Sequence, residues 1–216
     1  MGKEESLVLS GKIKNYLLNS NGGRVKEIDL ARLLGVSRGS IRDVLTGLLE
    51  KGLIERKKKA GTSLRKLTLL ELNEIYDLRS VLEGLAARLL SERITPGIIG
   101  ELKKINREHR KAIAKEDPYL ADKTDIAFHG KIIGNCGNAR LARMTEDFHV
   151  LTRAFKINHR IDPFVPRTKT PYPHEKTIRY LEEMAPEKAE RAARKHVDWA
   201  KECMIKLYLK QGGKEA

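Results

Sequence analysis

Asp125 and His129 stand four residues apart in the segment DIAFH, inside a stretch that otherwise reads as a buried helix face. On a helical wheel Asp125 shares its side with Ala121, Phe128, Ile132 and Cys136, and His129 lies one turn along. Two further imidazoles repeat the pattern. His174 aligns with Ile178, Leu181 and Ala185, and His196 is centred among Ala189, Ala192, Ala193, Trp199, Ala200 and Cys203. A carboxylate buried without a partner costs on the order of several kcal/mol or takes up a proton. A divalent ion would offset that cost for the whole set, because a carboxylate and an imidazole at i and i+4 can bind one ion from one helix. The ordinary alternative is a core Asp–His hydrogen bond, and for any one histidine alone it is the better reading. Periodicity does not choose among the histidines. His109 faces Leu102, Ile105, Ala112 and Ile113 and is as good a candidate as the others; His149 sits on a more polar face, and His159 is mixed.

The elements that must position these groups are helices. From Thr68 onward the pattern predicts helices at about 69–92, 97–115, 119–135, 138–160, 174–184 and 187–210. The breaks fall at TPG (95–97), DP (117–118), CGN (136–138), the proline-rich segment 161–173 and AP (185–186). Before Thr68 the order is different. Helices are expected at 6–19 and 27–34, LGV (34–36) turns the chain, and Ser37 can cap a third helix running to about Lys51. Strands at 53–57 and 62–67 flank KKAG. The expected fold is mainly α: a winged helix-turn-helix over 1–67, followed by an all-α bundle over 68–216.

In the first part, Leu30, Leu33, Val36, Ile41, Leu45 and Leu48 are expected to form an apolar seam across the turn. That seam turns Gly39, Arg42, Asp43 and Thr46 outward. Ser37, Arg38 and Ser40 open the helix whose N-terminus enters a major groove in such motifs, where arginine grips guanine through two hydrogen bonds. Lys57, Lys58 and Lys59 of the hairpin can reach phosphates, and Gly61 permits a tight tip. Charge agrees. Of the net +14, residues 1–67 carry +8 (15 Lys/Arg against 7 Asp/Glu) and the remaining two-thirds carry +6.

Other classes fit less well. No apolar run reaches the ~18 residues of a membrane span. The opening MGKEESLVLS lacks a signal-peptide core, so a cytoplasmic location is expected. Cys136 and Cys203 give neither a disulfide framework nor a C-x-x-C motif. There is no H-E-x-x-H, G-x-S-x-G or phosphate loop, so an enzyme is not expected. A metal-dependent hydrolase and a DNA-binding protein with a purely structural metal are the alternatives.

LARLLGVSR, IRDVL, LLEKGLIER and Gly61 together resemble the GntR family of bacterial transcription regulators. Asn21-Gly22-Gly23-Arg24 stands where that family usually has Pro-Gly, and Gly39-Ser40 where it favours Thr-Pro. The rest of the chain resembles the family's FadR-type ligand-binding domain, called FCD. The matching residues are LNEIYDLRSVLEGLAARLLSER (72–93), then Asp125, Phe128, His129, Gly137 and Asn138, then His174, Ile178 and His196. Pro173 replaces the glutamate usual before the third ligand. The resemblance implies a metal held by Asp125, His129, His174 and His196. Four such hard and borderline donors are compatible with Zn²⁺, Ni²⁺, Mn²⁺, Co²⁺ and Fe²⁺, the first three foremost, and the resemblance implies a small carboxylate metabolite as effector. Arg79 and Arg153 are the arginines expected to clamp that carboxylate. It further implies a homodimer on double-stranded operator DNA, acting as a repressor.

Overall fold

The computed structural model describes residues 2–20, 23–57, 60–161 and 173–212. These fall into two compact units. The first comprises Met1–Thr68 with Val150–Arg160, and the second comprises Leu69–His149 with Ile161–Ala216.

The first unit holds α1 (Lys3–Asn19), α2 (Glu27–Leu34), α3 (Arg38–Glu50), β1 (Ile54–Lys57) and β2 (Gly61–Leu64). Helix α2 ends where Gly35 turns left-handed, at φ 65°. Two residues on, Ser37 accepts a hydrogen bond from the Ser40 amide (3.0 Å) and caps α3. The turn between the helices is thus closed by a glycine and a serine in succession. Helix α3 packs on α1, α2 and β1. Leu30, Ile41, Leu45 and Leu48 are buried, as are Ile13 and Leu17 of α1. One expected seam residue departs: Leu33 is 58% exposed. It lies three residues after Leu30, on the flank of a two-turn helix that is covered on one side only.

β1 and β2 pair antiparallel, with Ile54 opposite Leu64 and Lys57 opposite Gly61. Val25 adds a bridge to Thr62, through Val25 N–H to Thr62 O (2.8 Å) and Thr62 N–H to Val25 O (2.9 Å). Gly61 has φ 89°, and a Cβ there would lie 2.5 Å from the Val25 carbonyl oxygen. Only glycine fits.

A cut at Leu67–Thr68 misses one feature of this unit. Residues 150–160 return to it, with Asn158 Nδ2 donating to the Arg65 carbonyl and His159 Nε2 to the Leu67 carbonyl, both at 2.9 Å. These are side-chain-to-backbone bonds about 90 residues apart in sequence, which local pattern does not encode.

The second unit contains α4 (Leu69–Ser91), α5 (Pro96–Ala114), α6 (Pro118–Asn135), the first half of α7 (Ala139–Asn158), α8 (His174–Glu182) and α9 (Pro186–Lys210). Three of these start with proline at the first turn, where no amide hydrogen is needed. Thr95 and Asp117 cap two of them through Ile98 N–H and Leu120 N–H. Asn138 caps α7 by accepting from Leu141 N–H at 3.0 Å. Helix α4 lies along α9 and also touches α6 and α8; α5 packs on α6 and α8. Leu90, Leu102, Phe128, Ile132, Ile178 and Leu181 are among the core residues where these helices meet.

Candidate metal centre and DNA-reading surface

Helix α6 runs unbroken through 118–135, so the i, i+4 spacing puts Asp125 and His129 on one face. Helix α8 begins at His174 itself, after Pro173 in an extended N-cap conformation. The proline's carbonyl accepts from Lys176 N–H at 3.1 Å, closing the first turn of the helix that carries His174. His196 comes from the middle of α9. One donor atom from each of Asp125, His129, His174 and His196 lies within 4.8 Å of every other. Donors around one ion at ~2.1 Å stand about 3.0 to 4.2 Å apart, so the set would have to draw inward to hold one.

Asp125 faces two of the imidazoles. Its Oδ1 is 3.4 Å from His174 Nε2 and 3.9 Å from His129 Nε2. The three imidazoles are buried, while the Asp125 side chain is 26% exposed. Ring centroids stand 4.6 Å apart for His174–His196 and 5.1 Å for His129–His196.

The residues fit a divalent ion. His174 Nε2 is buried, makes no hydrogen bond and points at a carboxylate oxygen. Burial holds the His174 pKa well below its ordinary value; Asp125 opposes that effect and His196 reinforces it. Burial thus favours the neutral imidazole, the form that binds metal. His129 differs. Burial works against its charge, but the carboxylates of Glu83 and Asp125 outweigh burial and raise its pKa.

Glu83, on α4, did not stand out in the sequence. It is 3% exposed. Oε1 accepts from Arg79 Nε at 2.8 Å and lies 3.2 Å from His149 Nε2; Oε2 is 2.7 Å from His129 Nδ1. Burial pushes its pKa up, yet Arg79, His129 and His149 bring it well below the ordinary carboxylate value. The signal was an acidic residue four after an arginine, within the apolar run VLEGLAA.

The remaining expected groups are distributed as follows. Arg79 is buried beside Glu83, and Asp125 is among the charges that raise its pKa against burial. Arg153 belongs to the other unit, within Val150–Arg160. His109 is outside the donor set: Nδ1 is 3.0 Å from Thr124 Oγ1 and 3.1 Å from the Ala121 carbonyl, as a satisfied core histidine would be. A void of about 10 Å³, room for one water-sized sphere, is bordered by Glu83, Phe128, His129, Thr177 and His196.

In the first unit Ser37, Arg38, Gly39, Arg42 and Thr46 are exposed and Ser40 partly so. Lys58 and Lys59 lie outside the described residues. The Ser37 hydroxyl is engaged with Ser40, at 2.9 Å from Ser40 Oγ. Thr46 Oγ1 donates to the Arg42 carbonyl. Sequence reading missed Glu27. Its carboxylate takes Arg42 Nε on Oε2 (3.3 Å) and Arg56 on Oε1 (3.2 Å).

Residues 74–198, more than half of the chain, match the FCD domain. The chain belongs to the FCD branch of the GntR transcription regulators. The HTH-type transcriptional regulator YdhC of Bacillus subtilis is 29% identical over 151 residues, covering 68% of this chain and 67% of its own. A probable D-xylose utilization operon transcriptional repressor of Paenarthrobacter nicotinovorans is 28% identical over 177 residues, covering 82% and 76%. The solved structure of E. coli McbR/YncC has the same fold, with a TM-score of 0.77 at 20% identity over 94% of this chain and 98% of that one. As an FCD regulator the chain is a DNA-binding transcription factor, not an enzyme. No helix among the described residues is long and apolar enough to cross a membrane.

Proposed function

We propose that this FCD regulator is a cytoplasmic, homodimeric repressor whose operator binding is set by a small carboxylate effector at a metal ion. The carrying observation is the convergence of Asp125, His129, His174 and His196, with burial favouring a neutral His174 and its buried nitrogen unsatisfied. Asp125, His129, His174 and His196 would hold a divalent ion such as Zn²⁺, Ni²⁺ or Mn²⁺. Bound there, the ion supplies Lewis-acidic positions that a carboxylate can occupy. Arg79, the proposed carboxylate clamp, is buried in the same unit and ion-paired with Glu83 at 2.8 Å.

Ser37, Arg38, Gly39, Ser40, Arg42, Thr46 and Gly61 form the proposed DNA-reading surface, with Lys58 and Lys59. Dimerisation is supported by Leu70, Leu78 and Val81, which leave apolar surface exposed on α4. A two-fold dimer matches a partly palindromic operator. The P. nicotinovorans relative is named a repressor, which favours repression here.

The deciding test is elemental analysis of tag-free protein beside the double variant Asp125→Ala/His129→Ala. About one transition-metal ion per chain, lost in the variant, is the expected result. No metal in the wild type after incubation with Zn²⁺, Ni²⁺ or Mn²⁺ overturns it. One observation favours a second reading, an ion that is purely structural: the void beside the site admits only a water-sized sphere. Under that reading carboxylates leave operator binding unchanged while chelation lowers thermal stability.

A further inference from the structure

The two ring nitrogens of His129 face different carboxylates. Nε2 faces Asp125 across 3.9 Å, among the four converging donors. Nδ1 stands 2.7 Å from Glu83 Oε2, a buried oxygen that no donor, His129 included, meets at full hydrogen-bonding geometry. That distance is typical of a charge-assisted hydrogen bond, although the approach is oblique. Glu83 itself cannot swing in to become a ligand, because Oε1 is anchored by Arg79 Nε at 2.8 Å and faces His149 Nε2 at 3.2 Å.

We propose that Glu83 is the positioning residue of the metal centre: it keeps the His129 proton on Nδ1 and so leaves the Nε2 lone pair for the ion. This rests on the metal-centre reading above. The chemistry follows from what each imidazole nitrogen can do. A neutral ring carries one proton, and the nitrogen without it is the donor to metal. A carboxylate can only accept, so Oε2 stabilises the tautomer with the proton on Nδ1 and disfavours the other. Arg79 has a linked role. It fixes the carboxylate plane and supplies the charge that lets Glu83 remain ionised while buried.

The arrangement makes Glu83→Gln informative. Arg79 Nε–H requires an oxygen at the Oε1 position, which turns the amide NH₂ toward His129 Nδ1. That nitrogen must then accept, and the proton moves to Nε2, where it blocks the ligand position. The expected loss of Zn²⁺ affinity is about tenfold to a hundredfold, as for other groups that orient a liganding histidine.

The experiment measures Zn²⁺ affinity by chelator competition for wild type and Glu83→Gln. Alongside it, ¹⁵N NMR of the Zn²⁺-loaded wild type reads the His129 tautomer, assigned by a His129→Gln variant. Expected are a protonated Nδ1 and a zinc-shifted Nε2 in the wild type, with weakened binding in Glu83→Gln. Zinc on Nδ1, or unchanged affinity in a folded Glu83→Gln protein, overturns the role of Glu83 while leaving the metal centre standing. A wild type that binds no Zn²⁺ removes both. If Glu83→Gln does not fold, the tautomer in the wild type decides alone.

Discussion

The His174 imidazole lies face to face with the Phe128 ring, centroids 3.9 Å apart and planes 14° from parallel. Phe128 sits between the site and the core, fully buried at 1% exposure. It therefore fixes the plane of a proposed ligand that begins its own helix and, among the described residues, has no other ring partner so close. Phe128→Ala is expected to cost about 3–5 kcal/mol of stability. Phe128→Leu fills most of the volume but gives no stacking surface. It should keep the fold, checked by circular dichroism, and weaken Zn²⁺ binding in a chelator competition.

Glu27 pairs with Arg42, which the proposed DNA-reading surface needs free, and with Arg56. Glu27→Gln releases Arg42 and Arg56 from their carboxylate and removes one negative charge from the basic unit. DNA affinity should rise, and more for non-specific sequences than for the operator, because phosphate contacts carry no sequence information. Arg38→Ala should instead lower operator affinity by about 1–3 kcal/mol and relax base preference at one position. Gel shifts at matched salt, on operator and scrambled duplexes, separate the two outcomes.

Gly61→Ala tests the hairpin. The added methyl meets the Val25 carbonyl oxygen at 2.5 Å, on a backbone with φ 89°. The strain is expected to cost about 1–3 kcal/mol, read as a lower thermal midpoint. Gly11→Ala is the control: a Cβ there meets nothing within 4 Å, so no loss is expected.

Acid should destabilise the metal-free protein through its buried histidines. Burial lowers the pKa of His174 and of His149, with Arg79 reinforcing the effect at His149. The unfolded chain takes up these protons near the ordinary value of ~6.5, before the folded chain does. Their contribution is complete above that value and is lost as pH falls from it. His129 has the opposite sign: its pKa is raised, so its contribution is present below ~6.5 and is lost as pH rises through the folded value. Two lowered groups face one raised group, and a falling thermal midpoint between pH 7 and pH 5 is expected. His174→Gln should flatten that fall. A midpoint that rises on acidification would contradict the assignment.

Much of this was legible in the sequence because the informative signals are local. The turn at Gly35–Ser37, the seam through Ile41, Leu45 and Leu48, and the helix starts at Pro96, Pro118 and Pro186 depend on neighbours a few residues away. The side of α6 that carries Asp125 and His129 follows from the helical period alone. What stayed hidden is decided by distant partners. Glu83 reads as one more charge on a helix until Arg79, His129 and His149 surround it. His109 has as apolar a face as His174, but Thr124 and the Ala121 carbonyl engage its Nδ1. Leu33 looks like seam because periodicity gives a direction and not the width of what covers it. The contact of Asn158 and His159 with the carbonyls of Arg65 and Leu67 has no periodicity at all.

The four donors come from three helices that an unfolded chain does not bring together. An ion held by all four would bind the folded chain and have little hold on the unfolded one. Each tenfold rise in free ion would then add about 1.4 kcal/mol to folding, once the site is mostly occupied. The amount of regulator surviving proteolysis would track metal supply before any effector arrived. Starvation for the ion would thin the repressor population itself, and the genes it covers would open without a signal molecule.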